Sequence, residues 1–183
     1  MNRLQEHYKK EVIPKMKELF NYKNDLAVPR LKSVTINVGL GDAIKKKDPK
    51  ITDVAKETII KITGQKPVET KAKTSIAGFK IRKGLVVGLK TTLRKNKMYD
   101  FVDKLINISI PRTRDFRGIK TTSVDQTGNL SVGFKEQLIF PEINSQSVEK
   151  IHGLEIAITT TAQNKEEGTA FLKLLGFPFK GLS

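Results

Sequence analysis

Ser33-Val34-Thr35-Ile36-Asn37-Val38 alternates without a break between apolar and neutral polar side chains. Successive residues of a β-strand point to opposite faces, so this stretch predicts a half-buried strand. Val34, Ile36 and Val38 turn toward a core, and Ser33, Thr35 and Asn37 turn away from it, uncharged. The pattern recurs from Leu85 to Arg94, with Leu85, Val87, Leu89, Thr91 and Leu93 inward and Val86, Gly88, Lys90, Thr92 and Arg94 outward. Leu130, Val132 and Phe134, after the Gly128-Asn129 turn, predict another such strand, Leu154 to Thr160 a further one, and Pro67 to Thr70 a short one. Strands covered on both sides read as continuous apolar runs, whereas these alternate, so one sheet face is expected to stay open.

Between the strands the apolar spacing turns helical. Leu4, Tyr8, Val12, Met16, Leu19 and Phe20 describe an amphipathic first helix, with Pro14 expected to kink or split it. A second helix is expected to open on Asp48 as cap with Pro49 in its first turn. It continues through Ile51, Val54, Ala55, Ile59 and Ile62 to a stop at Gly64. Asn96 is expected to cap a third, carrying Met98, Phe101, Val102, Leu105 and Ile106, and Asn164 with Glu167 reads as the capping box of a last one. Residues 111–127 look loop-rich. The order β-α-β-β-α, then β-β-α, predicts an α+β fold: one mainly antiparallel sheet with helices packed on one face and the other face open. No internal repeat or Gly/Pro/Ser-rich linker divides the chain, and residues 1–183 are expected to form a single domain.

Composition narrows the function classes. The 183 residues include no cysteine, which removes disulfides, thiolate metal sites and cysteine nucleophiles. A 38% hydrophobic content supports a core, so the chain is not a disordered basic tail. The N-terminus MNRLQEHYKKE lacks the apolar run of a signal peptide, and no run of about 18 apolar residues could span a membrane. A cytoplasmic location is expected.

Charge is unevenly placed. Ten lysines and arginines fall between Lys66 and Lys97, against Glu69 alone, while Lys135 to Lys180 is nearly balanced. Ordinary surfaces mix signs, so a concentrated, uncompensated window describes a face for a dense polyanion, nucleic acid first. Within it KAKTSIAGFKIRKG, residues 71–84, reads as an extended, mobile basic arm that adds little to a core. Fourteen residues folded back on themselves can project on the order of 20 Å, at 3.3–3.6 Å per residue. Lys45 to Lys47 and the cluster Arg112, Arg114, Arg117 and Lys120 form smaller patches.

Catalytic constellations are lacking. Gly39-Leu40-Gly41 follows a strand, but Ile44 stands where a dinucleotide fingerprint needs its third glycine. These glycines are expected either to adopt unusual backbone angles or to let a ligand approach the backbone closely. His7 and His152 lie far apart, Asp42, Asp48 and Asp53 lack calcium-loop spacing, and no serine sits in G-x-S-x-G. The chain is expected not to be an enzyme and to hold no cofactor or metal.

INVGLGDA (36–43), ITGQKP (62–67), SIAGFKIRKG (75–84), GLKTTLRK (88–95), PRTRDFRG (111–118), EQLIFPEI (136–143) and LLGFPFK (174–180) together resemble the bacterial large-subunit ribosomal protein family L-five. The seven blocks keep their order over essentially the whole chain. The resemblance implies a structural constituent of the large ribosomal subunit that binds 5S rRNA in the central protuberance beside 23S rRNA. It assigns polar RNA contacts to Asn37, Gln65 and Thr92, with Lys66, Lys90 and Arg94 as neighbouring rRNA-binding cations. It further implies that the basic loop, with Lys71, Lys73, Ser75, Lys80, Arg82 and Lys83, approaches P-site tRNA. Arg112, Arg114 and Arg117 would then lie in an inter-subunit bridge to a small-subunit head protein.

The expected mechanism is docking. Cations that neutralise phosphates release counterions and supply most of the affinity, and they cannot choose a site. Choice would fall to neutral groups such as Asn37, Gln65 and Thr92, fitted to folded RNA by shape, base edges and 2′-hydroxyls. With no tryptophan in the chain and few aromatics on the open face, base stacking there is expected to be secondary. The alternatives are an RNA-modifying enzyme, a DNA-binding or generic nucleic-acid module, and a membrane-surface protein. They would need, respectively, an acid–base or cofactor constellation, a basic recognition helix, and an apolar anchor. The third helix, with Asp100, Asp103 and Lys104, is close to balanced.

Overall fold

The computed structural model describes residues 2–41, 49–79, 81–144 and 151–181. Five strands, β1 (Leu31–Gly39), β2 (Val68–Lys71), β3 (Val86–Leu93), β4 (Leu130–Phe134) and β5 (Leu154–Thr160), form one antiparallel sheet in the order β2-β3-β1-β5-β4. Four helices accompany them among the described residues. α1 runs through Arg3–His7, a π-helical turn at Tyr8–Val12, and Ile13–Phe20. α2 is Pro49–Thr63, α3 is Lys95–Lys104 continued by a π-helical turn at Leu105–Ser109, and α4 is Lys165–Leu174. The expected α+β class is found, and the stretch that announced it lies in the central strand. Val34, Ile36 and Val38 are buried, Ser33 and Thr35 half-buried, and Asn37 exposed.

The chain forms two compact units, one of Met1–Val34, Leu93–Val132 and Ala157–Ser183, the other of Thr35–Thr92 and Gly133–Ile156. In the first, α1 carries its irregularity just ahead of Pro14. The Lys10 carbonyl, which a regular helix would aim at the absent Pro14 N–H, lies inside the π-helical turn. Val12 and Met16 of α1 join Phe101, Val102 and Leu105 of α3 and Phe171 and Leu172 of α4 among the buried side chains. Tyr8 donates its hydroxyl to the Pro29 carbonyl (3.0 Å) and stands edge-on to Phe171. Burial pushes its pKa up to about 12. His7, too far in sequence from His152 to suggest a metal pair, has Nε2 2.9 Å from the Leu174 carbonyl and so ties α1 to the end of α4.

Two caps differ from expectation. α3 begins at Lys95, whose φ of 54° is left-handed, and Arg94 is its N-cap residue without a side-chain bond. Asn96 does not cap. Its carbonyl and Oδ1 instead accept from the side chains of Asn2 and Gln5. At α4, Asn164 accepts from the Glu167 N–H (2.8 Å) as a cap should, but the buried Glu167 carboxylate returns to the Gln163 N–H (2.6 Å), one residue earlier than a capping box.

In the second unit α2 buries Ala55, Ile59 and Ile62 and ends as expected at Gly64, whose φ of 62° lets its N–H close on the Ile60 carbonyl. Its expected cap, Asp48, lies outside the described residues. β2 and β3 form an antiparallel pair, Val68 opposite Lys90, Glu69 opposite Leu89 and Thr70 opposite Gly88. The register then shifts, so that Lys71 faces Val86. Leu85, expected to face the core, is 39% exposed. It follows that shift, and beyond a one-residue slip side chains change faces.

Candidate nucleic-acid interface

β1 and β3 share a ladder in which the Leu40 N–H donates to the Val87 carbonyl at 3.0 Å. Continued along an antiparallel pair, that bond sets Asn37 beside Lys90 and Thr35 beside Thr92. Asn37 and Lys90 are exposed, and Thr35 and Thr92 are half-buried. The other parity, Ile36 and Val38 with Leu89 and Thr91, is buried. β2 extends the outer side with Val68 next to Lys90 and Thr70 next to Gly88. A Cβ on Gly88 would stand 2.9 Å from the Thr70 hydroxyl and 3.0 Å from the Val38 carbonyl, so only glycine lets these three strands lie together here.

Gln65 reaches this face from the loop after α2. The buried Thr63 hydroxyl accepts from the Gln65 N–H (3.2 Å) and donates to the Ile59 carbonyl (2.6 Å), which pins the turn. The Gln65 side-chain amide then donates to the Thr92 carbonyl (3.3 Å). Two groups 27 residues apart in sequence, both singled out as polar RNA contacts, are thereby neighbours. Lys66 follows, exposed, before the buried Pro67.

Residues 71–84, expected as a mobile excursion, are closed into a hairpin. The Ala72 N–H donates to the Leu85 carbonyl (2.8 Å) and the Gly84 N–H to the Ala72 carbonyl (2.9 Å). Ile76 and Ile81 exchange both backbone bonds (2.9 and 3.2 Å) around a 3₁₀ turn at Ala77–Phe79. Ser75 accepts the Lys83 N–H on its hydroxyl (2.9 Å), so its oxygen holds the stem. Lys71, Lys73, Arg82 and Lys83 are exposed, and Lys80 lies outside the described residues.

The single carboxylate of the basic window is occupied. Glu69 shares the parity of Leu89 and meets the Lys56 ammonium of α2 at 2.7 Å. Their hydrogen bond, more than their charges at a distance, holds the Glu69 pKa down and the Lys56 pKa up. Among the described residues no carboxylate pairs with Lys66, Lys71, Lys73, Arg82, Lys83 or Lys90. These cations therefore stand without ion-pair partners, and the exposed Glu155 of β5 belongs to the same unit.

Arg94 is exposed and belongs, with Arg112, Arg114 and Arg117, to the first unit. The last three are exposed around turns at residues 110–115 and have no ion pair among the described residues. That loop is fastened where the Ile119 N–H donates to the Pro178 carbonyl (2.8 Å) and the Lys180 N–H to the Ile119 carbonyl (2.9 Å). Lys45 to Lys47 lie outside the described residues. His152 is half-buried, with burial pushing its pKa down, and its backbone N–H donates to the Gln137 amide oxygen (2.7 Å). Among the described residues no group of three or more His, Asp or Glu side chains could hold a metal ion, and no helix is long and apolar enough to cross a membrane.

One of the two expectations for Gly39 and Gly41 falls. Neither has a positive φ, so neither is there for unusual backbone angles, and a Cβ on either would meet nothing within 4 Å. Open space above an exposed backbone suits close approach from outside. Thr35, which the alternation already turned outward, shares this side, and so do Thr70 and Val68, which sequence reading passed over. Val68 in a short strand gives no parity signal until its partner Lys90 is known.

Two family models together cover most of the chain. The one described as ribosomal protein L5 matches residues 24–82, and the one describing the C-terminus of that ribosomal family matches residues 86–179. The large ribosomal subunit protein uL5 of Geotalea uraniireducens is 54% identical over 180 residues, covering 98% of this chain and 99% of that protein. The uL5 proteins of Caldanaerobacter subterraneus subsp. tengcongensis and Natranaerobius thermophilus are each 51% identical, over 98% and 99% of this chain. A sheet side that exposes Asn37 and Lys90 among half-buried polar residues agrees with such kinship. The chain belongs to the uL5 family of ribosomal proteins, structural and non-enzymatic constituents of the large ribosomal subunit.

Proposed function

We propose that the outer side of β1 and β3, with the Gln65 loop, is the docking surface for folded 5S rRNA, and that it helps attach that RNA within the central protuberance beside 23S rRNA. One observation carries the reading: Asn37, Thr92 and Gln65 are unburied and lie on or against one side of a sheet whose opposite side is packed with apolar groups. Side chains on a hydrogen-bonded sheet are held in fixed relative positions, so neutral donors and acceptors there can discriminate one RNA fold from another. Lys66 and Lys90 provide the phosphate contacts around them, and Arg94 is a further rRNA-binding cation.

The hairpin at 71–84 is the element that approaches P-site tRNA. Its support is a stem of exposed Lys71, Lys73, Arg82 and Lys83 with no carboxylate partner. The loop of Arg112, Arg114 and Arg117 is the part of an inter-subunit bridge that meets a small-subunit head protein, supported by three exposed, unpaired guanidiniums on a fastened loop.

Equilibrium binding of the full chain to 5S rRNA, tRNA, random duplex DNA and anionic vesicles tests the reading. A preference for 5S rRNA at moderate salt is expected, lost when Asn37, Gln65 and Thr92 are all replaced by alanine. An unchanged 5S affinity in that triple variant, or a preference for DNA or vesicles, would refute it.

A further inference from the structure

The hairpin ends in apolar groups that the chain itself does not cover. Phe79 is 60% exposed and Ile76 46%, both at the tip, where the polypeptide offers no core to bury them. Leaving an aromatic ring in water forgoes burial energy, and a scattered exposed side chain on a broad surface needs no explanation. This pair is not scattered. It crowns a stem whose exposed flanks are Lys73, Arg82 and Lys83, so whatever covers it must also accept concentrated positive charge.

Gly78 adds a second indication. Its φ is not positive, and a Cβ there would touch nothing within 4 Å, so nothing among the described residues requires glycine next to Phe79. A missing side chain with no internal cause is what close approach by an outside surface would select. The backbone around it is already set by the paired Ile76–Ile81 bonds and by the Phe79 N–H donating to the Ile76 carbonyl (3.3 Å). The ring is thus presented on a closed turn, with less ordering entropy left to lose on binding than a free loop would have.

We propose that Phe79 is a stacking residue: its ring packs on the face of an unstacked nucleobase of folded RNA, Gly78 lets that RNA close on the turn, and the stem cations hold the adjoining phosphates. An apolar protein partner fits poorly, since the stem would bring a group of unpaired cations to its edge, whereas every nucleobase combines an apolar face with a nearby phosphate. This deepens, and rests on, the reading of the hairpin as an RNA-facing element. It also moves aromatic recognition off the sheet, where few rings are available, to the arm.

Because the chain has no tryptophan, Phe79→Trp creates a single fluorescent reporter at the tip. Titrated with folded tRNA, the full-length variant is expected to bind as the parent does and to lose fluorescence on stacking. Phe79→Ala is expected to weaken tRNA binding on the order of 5- to 150-fold, the range of measured base–aromatic stacking, with an unchanged slope of log K against log salt. Gly78→Val is expected to weaken it too. A triple Lys73→Ala, Arg82→Ala, Lys83→Ala chain separates charge contact from stacking, because removing phosphate contacts flattens the salt slope. If that variant binds tRNA normally, the hairpin is not RNA-facing and the underlying reading fails. If it weakens binding while Phe79→Ala does not, or if the tryptophan is unquenched, the stacking proposal alone is overturned.

Discussion

Along the outer side of β1 and β3 a few cations stand among neutral side chains, and the peptide groups beneath them are held in the ladder with β2 and with each other. Across residues 71–84 the described Lys71, Lys73, Arg82 and Lys83 stand on a two-stranded stem whose residues 73–79 are all exposed, Ile76 and Phe79 among them. The first region has rigidity and chemical variety and little reach. The second has reach and charge density with few fixed hydrogen-bonding groups. Counterion release rewards charge wherever it is placed, whereas discrimination between RNA folds requires donors and acceptors that do not move. On the proposed reading, the arm's grip on tRNA would be mainly electrostatic, and the face's grip on 5S rRNA would depend more on fixed neutral groups.

The heaviest blow to this division is charge removal from the arm. If Lys71, Lys73, Arg82 and Lys83 each meet a phosphate, replacing all four by alanine should cost about three orders of magnitude in tRNA affinity near 0.1 M salt and flatten the salt slope by about 3 to 4. Affinity for 5S rRNA should change far less. Equal losses for both RNAs in parallel titrations would mean that arm and face form one continuous surface, and the comparison would break.

Next in size is a stability contrast within the second unit. Leu89 is wholly buried, and Leu89→Ala should cost about 2–5 kcal/mol, read as a fall in the denaturant midpoint. Phe79→Ala, at a larger but exposed side chain, should stay within about 0.5 kcal/mol. A comparable loss at Phe79 would show that the tip packs within the chain in solution. A single Asn37→Ala change ranks below both for binding. Loss of one neutral hydrogen bond should weaken 5S rRNA about 2- to 12-fold, from about 0.5–1.5 kcal/mol, with the salt slope untouched. A flattened slope there would place Asn37 among phosphate contacts and blur the distinction drawn above.

How much of this was legible before any coordinates depended on range in sequence. The alternation at Ser33 to Val38 and from Leu89 to Leu93 could be read because water on one side and core on the other impose a two-residue period, and the outward placement of Asn37 and Lys90 followed from counting. The Gly64 stop and the Asn164 cap were equally local. What failed depended on distant groups. Asn96 had the chemistry of a cap, but Asn2 and Gln5, more than ninety residues away, engage it. Leu85 fitted the strand period, yet the register shift at Thr70 and Lys71 put it on the arm's side of the break. The bond from Gln65 to Thr92 and the exposure of Val68 needed strand pairing, which periodicity cannot supply.

The smallest expected effect bears on why the window's one acid does not spoil it. Glu69 shares the parity of Leu89 on the helix side of β2 and is held by Lys56, while Lys71 and Lys66 act on it only at a distance and more weakly. Its pKa is depressed in the folded chain, so the stability it adds is present above the ordinary carboxylate value of 4.5 and is lost as pH falls through the folded value. Lys56, with its pKa raised, keeps its share below 10.5 and loses it only as pH rises beyond that. Both groups are solvent-exposed, so water and salt screen the pair and the gain is slight. Glu69→Gln should therefore leave the neutral-pH melting temperature almost unmoved and remove only a shallow decline in stability below about pH 4.5. Its affinity for 5S rRNA at physiological salt should match the parent's, because Lys56, on the helix side, is released where no phosphate is met. A clear gain in RNA affinity would mean that Glu69 opposes the bound polyanion from the outer side, and that the charge separation across β2 is not what keeps the face available.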